Sequence, residues 1–324
     1  MAADSRERDP LKVRIGVGLG VQEMIGSCAE LRVVCRTLED EGFDSLWFSE
    51  AATSPALDPV AALGFVAAQT STIKLGSSVL VVPGRPPVLL AKALATLDLL
   101  SGGRMLPIVG LGTADAREHQ AFGVGRTDRG PWVDEVVPLL RRCWSGEPVT
   151  HTGLRFELDD ITVLPRPRRP LPIWLGGRDD RELLRVGRLG DGWLASFATP
   201  GEVAAGTAVV RDAAAAHGRT IDADHYGVLL LYALAEPGPS VREFLAWRRP
   251  DLSLAEALPV GAAALRDRLA EYVEAGASKF ILVPAERPDD WRQELADLAD
   301  AVLSLQTPGR PAAANRAAAT GEGA

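Results

Sequence analysis

The chain has 324 residues, 47% of them hydrophobic, and a formal net charge of −8. This length suits one large α/β barrel or two ordinary domains, with enough apolar residues for a sizeable core. An acidic balance with no Lys/Arg block argues against nucleic-acid binding, and no apolar run approaches the roughly 18 residues of a membrane span.

Val13–Val17 reads as a first strand. A helix follows, with Leu31, Val34, Cys35 and Leu38 on one face and Gly42 at its C-terminal end. Ser45–Phe48 is a second strand. Asp58 and Pro59 then start a helix reaching about Thr70. Ile73–Val82 is a third strand, broken by Pro83-Gly84. The next helix carries Leu90, Leu94 and Leu97, and Ser101-Gly102-Gly103 closes it before strand four, Met105–Val109.

The alternation then pauses. A short helix is expected over Asp115–Phe122, and a longer one through Val133, Val136, Val137, Leu140 and Trp144. His151–Leu154 suggests a small hairpin turn and Pro165–Pro172 a stiff connector. Ile173–Leu175 is strand five, and a helix to about Arg188 leads to strand six, Gly192–Ser196. His225–Ala233 is strand seven, with an irregular insertion over Glu236–Pro259. A helix with Leu265, Leu269, Tyr272 and Val273 precedes strand eight, Lys279–Val283. The last helix carries Trp291, Leu295, Leu298, Val302 and Leu305. Strands alternating with helices imply a parallel sheet, here a (β/α)8 TIM barrel with insertions after strands four and seven. One domain is expected over residues 12–306, with flexible termini at 1–11 and 307–324.

The polar N-terminus lacks the apolar core of a signal peptide, so a cytoplasmic setting is expected. Cys28, Cys35 and Cys143 form no Cys-x-x-Cys, and an odd count argues against a disulfide framework. The histidines His119, His151, His217 and His225 lack metal-ligand spacing, so no metal site is expected. No Gly-x-Ser-x-Gly elbow is present, and the Gly16-Val17-Gly18 run misses the dinucleotide fingerprint, having Val21 where a third glycine belongs.

In barrels of this kind chemistry sits at the C-terminal ends of the strands. Those ends carry Gly18, Glu50, Ser77, Ser78, Val79, Gly110, Gly112, Thr113, Gly176, Gly177 and Arg178. The set is rich in glycine and small hydroxyls and poor in acid/base groups. It suits a planar cofactor, approached closely by backbone and carrying the chemistry itself. Gly176-Gly177-Arg178 before a helix reads as a phosphate site, or else as a plain tight turn. Glu50 is the one carboxylate directly at a strand end, either a catalytic base or an anchor for a neighbouring arginine.

The run Val82-Pro83-Gly84-Arg85-Pro86-Pro87 is followed by Leu90-Ala91-Lys92, Ala95-Thr96-Leu97-Asp98 and Ser101-Gly102-Gly103-Arg104. Gly110-Leu111-Gly112, Glu118, Gly123, Arg129-Gly130, Pro172–Gly177 and Gly190–Trp193 continue it in order. Together these resemble the signature of bacterial luciferase-like monooxygenases, over about residues 13 to 303. Tyr272–Phe280 is similar to the deazaflavin-dependent branch.

The resemblance implies a cofactor ring against strands three and four, backed by a bulge with a non-proline cis peptide at Ser78-Val79. It implies that Thr113 and Glu118 line the cofactor pocket and that Gly176 and Gly177 hold the cofactor phosphate. Asp98 and Arg104 would pair structurally. It further implies a homodimer acting on a small organic substrate. The expected activity is hydride transfer with coenzyme F420; the alternatives are an FMN monooxygenase and a barrel that has become a binding or partner subunit. Two positions depart from the pattern. Ala51 stands where members often carry histidine, and Thr113 stands where tryptophan is common, which widens the pocket near the ring. Substrate recognition is expected from Asp115–Pro131 and Glu236–Pro259.

Overall fold

The computed structural model describes residues 11–308. Its first half runs β1 (Arg14–Leu19), α1 (Cys28–Glu41), β2 (Ser45–Phe48), α2 (Pro59–Gln69), β3 (Lys74–Val81), α3 (Pro87–Leu100) and β4 (Met105–Gly110). Then come α4 (Ala116–Ala121), α5 (Arg129–Cys143) and the hairpin of β5 (Val149–Thr152) and β6 (Glu157–Ile161). The second half runs β7 (Trp174–Gly176), α6 (Asp180–Leu189), β8 (Gly192–Ser196), α7 (Pro200–Ala216) and β9 (Tyr226–Tyr232). It ends with α8 (Pro239–Arg248), α9 (Leu254–Ala257), α10 (Ala262–Glu274), β10 (Lys279–Pro284) and α11 (Trp291–Val302).

Eight strands close a parallel barrel in the order β1-β10-β9-β8-β7-β4-β3-β2. Each is one of the eight expected runs, and the expected TIM barrel is the fold observed. The local signals act as read. Asp58 Oδ1 accepts from Ala61 N–H at 2.8 Å to start α2, and Gly42 ends α1 at φ 88°. Gly153 N–H closes the β5–β6 turn onto Phe156 O at 3.0 Å. No helix of the described residues is long and apolar enough to cross a membrane.

Three expectations are corrected, and one helix is added. The insertion after β9 is not irregular: it holds α8 and α9, the latter started by a Ser253–Glu256 capping box. Helix α7, not singled out from sequence, begins with a Thr199–Glu202 capping box and Pro200. Asp98 and Arg104 do not pair. The Arg104 guanidinium instead donates to carbonyls of Ala67, Thr70, Ile73 and Ser101, tying the end of α2 to the turn after α3. Thr307 is pinned to Val13 by hydrogen bonds of 3.0 and 3.1 Å rather than opening a flexible tail. Of the other residues expected to be flexible, Leu11 and Pro308 are described, and 1–10 and 309–324 lie outside the described ones.

The core has two zones. The larger fills the space between strands and helices. The smaller fills the barrel itself with Trp47, Ile108, Trp174, Leu194, Leu229, Ile281 and Val283. Two indoles fit there because facing strands carry glycine. A Cβ at Gly76 would lie 1.9 Å from the Trp47 ring, and one at Gly192 would lie 2.4 Å from the Trp174 ring. Trp47 Nε1 also donates to Ser45 Oγ at 2.8 Å, so the buried N–H is satisfied.

At the opposite, N-terminal end of the barrel, Asp44 collects cations from three strand starts. Lys74 and Lys279 stand 3.3 Å away and Arg14 stands 3.6 Å away. Burial pushes the Asp44 carboxyl up, but Lys279 and Lys74 outweigh it and hold the carboxyl below its ordinary 3.8. Its contribution to stability is therefore complete above 3.8 and lost as pH falls through the lower folded value. Asp44→Asn leaves Lys279 buried and uncompensated, and is expected to cost about 3 kcal/mol at pH 7. Urea unfolding should show that gap narrowing in acid; an equal gap at both pH values would refute the role.

Candidate active site

The C-terminal ends of β2, β3, β4 and β7 meet around one irregularity. The β3–β4 register shifts between Ser78 and Leu80, and the Ser78-Val79 peptide is cis. Val79 consequently leaves the regular pleat. Its side chain lies against two glycines: a Cβ at Gly110 or at Gly176 would fall 2.7 Å from a Val79 methyl. Those glycines seat the bulge residue.

Glu50 grips this bulge from both sides. Its N–H donates to Val79 O at 3.3 Å, and its carboxylate accepts from Val81 N–H at 2.7 Å. The same carboxylate pairs with the Arg85 guanidinium, whose Nε–H donates to Val81 O at 2.9 Å. Burial pushes Glu50 above the usual carboxylate value, against the pull of Arg85 and of the Val81 N–H. Of its two expected roles, the geometry is that of the anchor. Ser49 adds a third hold, its Oγ donating to Ser78 O at 3.0 Å and lying 3.4 Å from Ser78 Oγ.

The remaining expected site residues divide between packing and wall. Gly18 makes room for methyls of Val283 and Ile281, which a Cβ would approach to 2.7 and 2.8 Å. Ser77 is fully buried, its hydroxyl spent on Ile108 O at 2.9 Å. Gly112, at φ 78°, and exposed Thr113 form a turn whose carbonyls, with that of Leu111, accept from Arg129 Nη1. Glu118 ties α4 to the loop after β2, accepting from Ala52 N–H at 3.0 Å, from Thr53 N–H at 2.7 Å and from the Thr53 hydroxyl. Burial pushes its carboxyl up, but these donors hold it below its ordinary value, as a committed anion.

At the end of β7, a Cβ on Gly177 would lie 2.5 Å from Glu182 Cβ, and Gly177 O accepts from Trp193 Nε1 at 2.9 Å. Asp179 and Glu182 form a capping box on α6. Glu182 Oε2 accepts from Arg178 N–H at 2.8 Å and from Asp179 N–H at 3.3 Å. Part of the expected anion cradle thus already faces a carboxylate, and the Arg178 guanidinium donates to Phe197 O at 3.2 Å. The structure therefore gathers Glu50, Ser78, Val79, Gly110 and Gly176 in one patch, flanked by Gly177 and Arg178. It keeps Gly18 and Ser77 in the packing. Sequence reasoning missed the parts played by Ser49, Arg85 and Arg129. Ser49, next to Glu50 at a strand end, was the readable one of the three.

The chain is similar to known proteins. Over 166 residues the chain is 36% identical to an F420-dependent glucose-6-phosphate dehydrogenase of Kineococcus radiotolerans, covering 48% of this chain and 49% of that one. Over 191 residues it is 30% identical to an F420-dependent hydroxymycolic acid dehydrogenase of Mycobacterium tuberculosis, covering 56% and 52%. The chain thus spans about half the length of the curated relatives it matches. Among solved structures, an F420-dependent secondary alcohol dehydrogenase with an F420-acetone adduct superposes with a TM-score of 0.77 at 18% identity, over 92% of this chain and 100% of that one. The oxygenating constituent of a Pseudomonas putida 3,6-diketocamphane monooxygenase, in complex with FMN, gives 0.72 at 17%, over 90% and 98%. The model of one family, described as luciferase-like monooxygenase, matches residues 11–317, and with the barrel and the β3 bulge in place the chain belongs to that family.

Proposed function

We propose that this protein is an F420-dependent oxidoreductase, moving a hydride between the deazaflavin and a small organic substrate. The observation that carries this reading is the state of the acidic groups at the barrel mouth. Glu50 is bound to Val81 N–H and Arg85, and Glu118 to Ala52 and Thr53. Neither carboxylate is free for proton transfer, and among the described residues no His, Lys or Cys stands directly at the C-terminal end of a barrel strand; the ring of His119 on α4 lies 3.2 Å from Thr113 O, on the side wall. In this reading a bound group supplies the redox chemistry. The F420-dependence in the names of the curated relatives supports a deazaflavin as that group.

The residues present fit such a cofactor. Val79, seated between Gly110 and Gly176, offers an apolar wall next to backbone that carries no side chain. Ser78, Val79, Gly110 and Gly176 would hold the ring, Gly112, Thr113 and Glu118 would form its side wall, and Gly177 and Arg178 would face the phosphate. When bound, the deazaflavin supplies a hydride-carrying carbon in place of flavin's oxygen-activating nitrogen. The chain's part is positional. Glu50 and Ser49 fix the bulge, Val79 keeps water off the wall, and Arg129 holds the Leu111–Thr113 turn.

An FMN-dependent monooxygenase is the second reading, favoured by the FMN-bound relative of the same fold. Absorbance and fluorescence titration separates the readings: F420 should bind with a micromolar or tighter Kd. Binding of FMN alone would move the assignment to the second reading, and binding of neither would support a non-catalytic barrel. We also propose a homodimer. On α3, Leu89 and Leu100 are 67% and 66% exposed, apolar surface that a second copy would cover. Light scattering should return twice the chain mass; a monomer at micromolar concentration would overturn this.

A further inference from the structure

The proline-rich connector from β6 enters β7 at the end of the barrel opposite the mouth. Together with the last turn of α5 it bounds an open groove of about 850 Å³. Four arginines line this groove: Arg141 on α5, and Arg166, Arg168 and Arg169 on the connector. Its floor is apolar, from buried Trp144, Pro167 and Leu171. Pockets that take one small ligand have volumes of roughly 300–1,000 Å³.

The arginines are held in place before any ligand arrives. Pro165, Pro167, Pro170 and Pro172 stiffen the connector backbone. Arg166 crosses the turn after α5 at Gly146, φ 83°, where a Cβ would fall 3.1 Å from Arg166 Cδ. Arg169 Nη2 donates to Gly103 O at 2.9 Å, and Arg141 Nη2 donates to Leu189 O at 2.8 Å. Ordering that is already in place is not charged again on binding.

Among the described residues, two acids face these groups. Asp191 lines the groove and is shared by Arg141 at 2.6 Å and Arg219 at 3.0 Å. Asp98, 1% exposed, faces Arg169 and Arg168 from beneath. Glu147, next to Gly146, is exposed and lies outside the lining. Five guanidinium groups thus meet two carboxylates, in a chain whose net charge is −8. A concave surplus of positive charge gathers a counter-anion. The planar guanidinium fork matches phosphate oxygens in particular. A long polyanion would run from the groove onto a molecule of net negative charge, whereas a compact one stays within it.

We propose that this groove is a binding site for a diphosphate group, separate from the barrel mouth. Two ligands can bring that chemistry: inorganic diphosphate, or a nucleoside diphosphate whose organic part rests on the Trp144–Leu171 floor. The inference goes beyond the functional reading above and does not depend on which cofactor the mouth takes.

Inorganic diphosphate is the first probe, titrated by calorimetry into the full chain at constant ionic strength without divalent metal. One site should saturate, with a Kd of about 100 μM or tighter. Orthophosphate should bind about tenfold more weakly or worse. Arg166→Gln and Arg168→Gln should each raise the diphosphate Kd about tenfold, and Arg166→Lys should recover only part of the loss. Both arginines are exposed, so the variants should melt with the wild type, which thermal unfolding checks. Arg178→Gln, at the mouth, should leave the titration unchanged. Adenosine diphosphate is the second probe. Tighter binding than inorganic diphosphate, lost in the same variants, identifies a nucleotide as the source; equal or weaker binding identifies inorganic diphosphate. The site is overturned by unsaturable binding, by equal binding in wild type and both Gln variants, or by a loss confined to Arg178→Gln. Capture of a hexaglutamate peptide without affinity for diphosphate overturns it as well, and assigns the groove to an acidic protein segment.

Discussion

Gly76→Val is expected to abolish the accumulation of folded protein. The Cβ alone would sit 1.9 Å from the Trp47 ring, and the valine methyls would reach further into it. Trp47 has no room to yield: it is fully buried and its Nε1 is held by Ser45 Oγ at 2.8 Å. Overpacking a core costs about 1–3 kcal/mol where neighbours can shift. Here they cannot, so the loss should exceed that range and take most of a typical domain stability of roughly 5–15 kcal/mol. Soluble yield and thermal unfolding measure it. A folded variant melting within about 5 °C of the wild type would refute the fitted interior. Trp47→Leu in the same chain should recover folding by returning the space.

Glu50→Ala is expected to weaken cofactor binding more than tenfold and to cost about 2 kcal/mol of stability. It leaves Val81 N–H without its acceptor and Arg85 without its partner. The cost stays below that of a fully buried pair because the Arg85 side chain is 27% exposed. Glu50→Gln keeps an acceptor for Val81 and should do less harm. The two substitutions also separate positioning from proton transfer. If Glu50 positions the bulge, Glu50→Gln changes the cofactor Kd but leaves the pH dependence of kcat in place. Loss of one limb of that profile would return Glu50 to the role of catalytic base or acid.

Much of the scaffold was readable because strand and helix periods are local. Ile15, Leu46, Leu75 and Phe280 lie in short apolar runs bounded by turns, and all became barrel strands. Helix α7 escaped because its alanine-rich sequence has little apolar contrast between faces; its Thr199–Glu202 capping box was the available signal. The site was legible in kind, not in detail. Glycines at strand ends announced close backbone approach, yet what approaches Gly110 and Gly176 is Val79, from another strand. The partners of Glu50 and Phe197 come from elements far along the chain, Arg85 after β3 and Arg248 on α8. No local pattern encodes such meetings; they exist only once the barrel has closed.

The indole-filled interior has a kinetic consequence. With Trp47 and Trp174 plugging the barrel, ligands have one doorway, the C-terminal mouth. In the proposed reaction, two reactants sharing one doorway stack in depth, so whichever lies against Val79 must arrive first and depart last. Steady-state kinetics should accordingly follow a compulsory order. Product inhibition should be competitive only between the inner pair, the first reactant to bind and the last product to leave, and the inner partner should stay trapped for as long as the outer one remains seated.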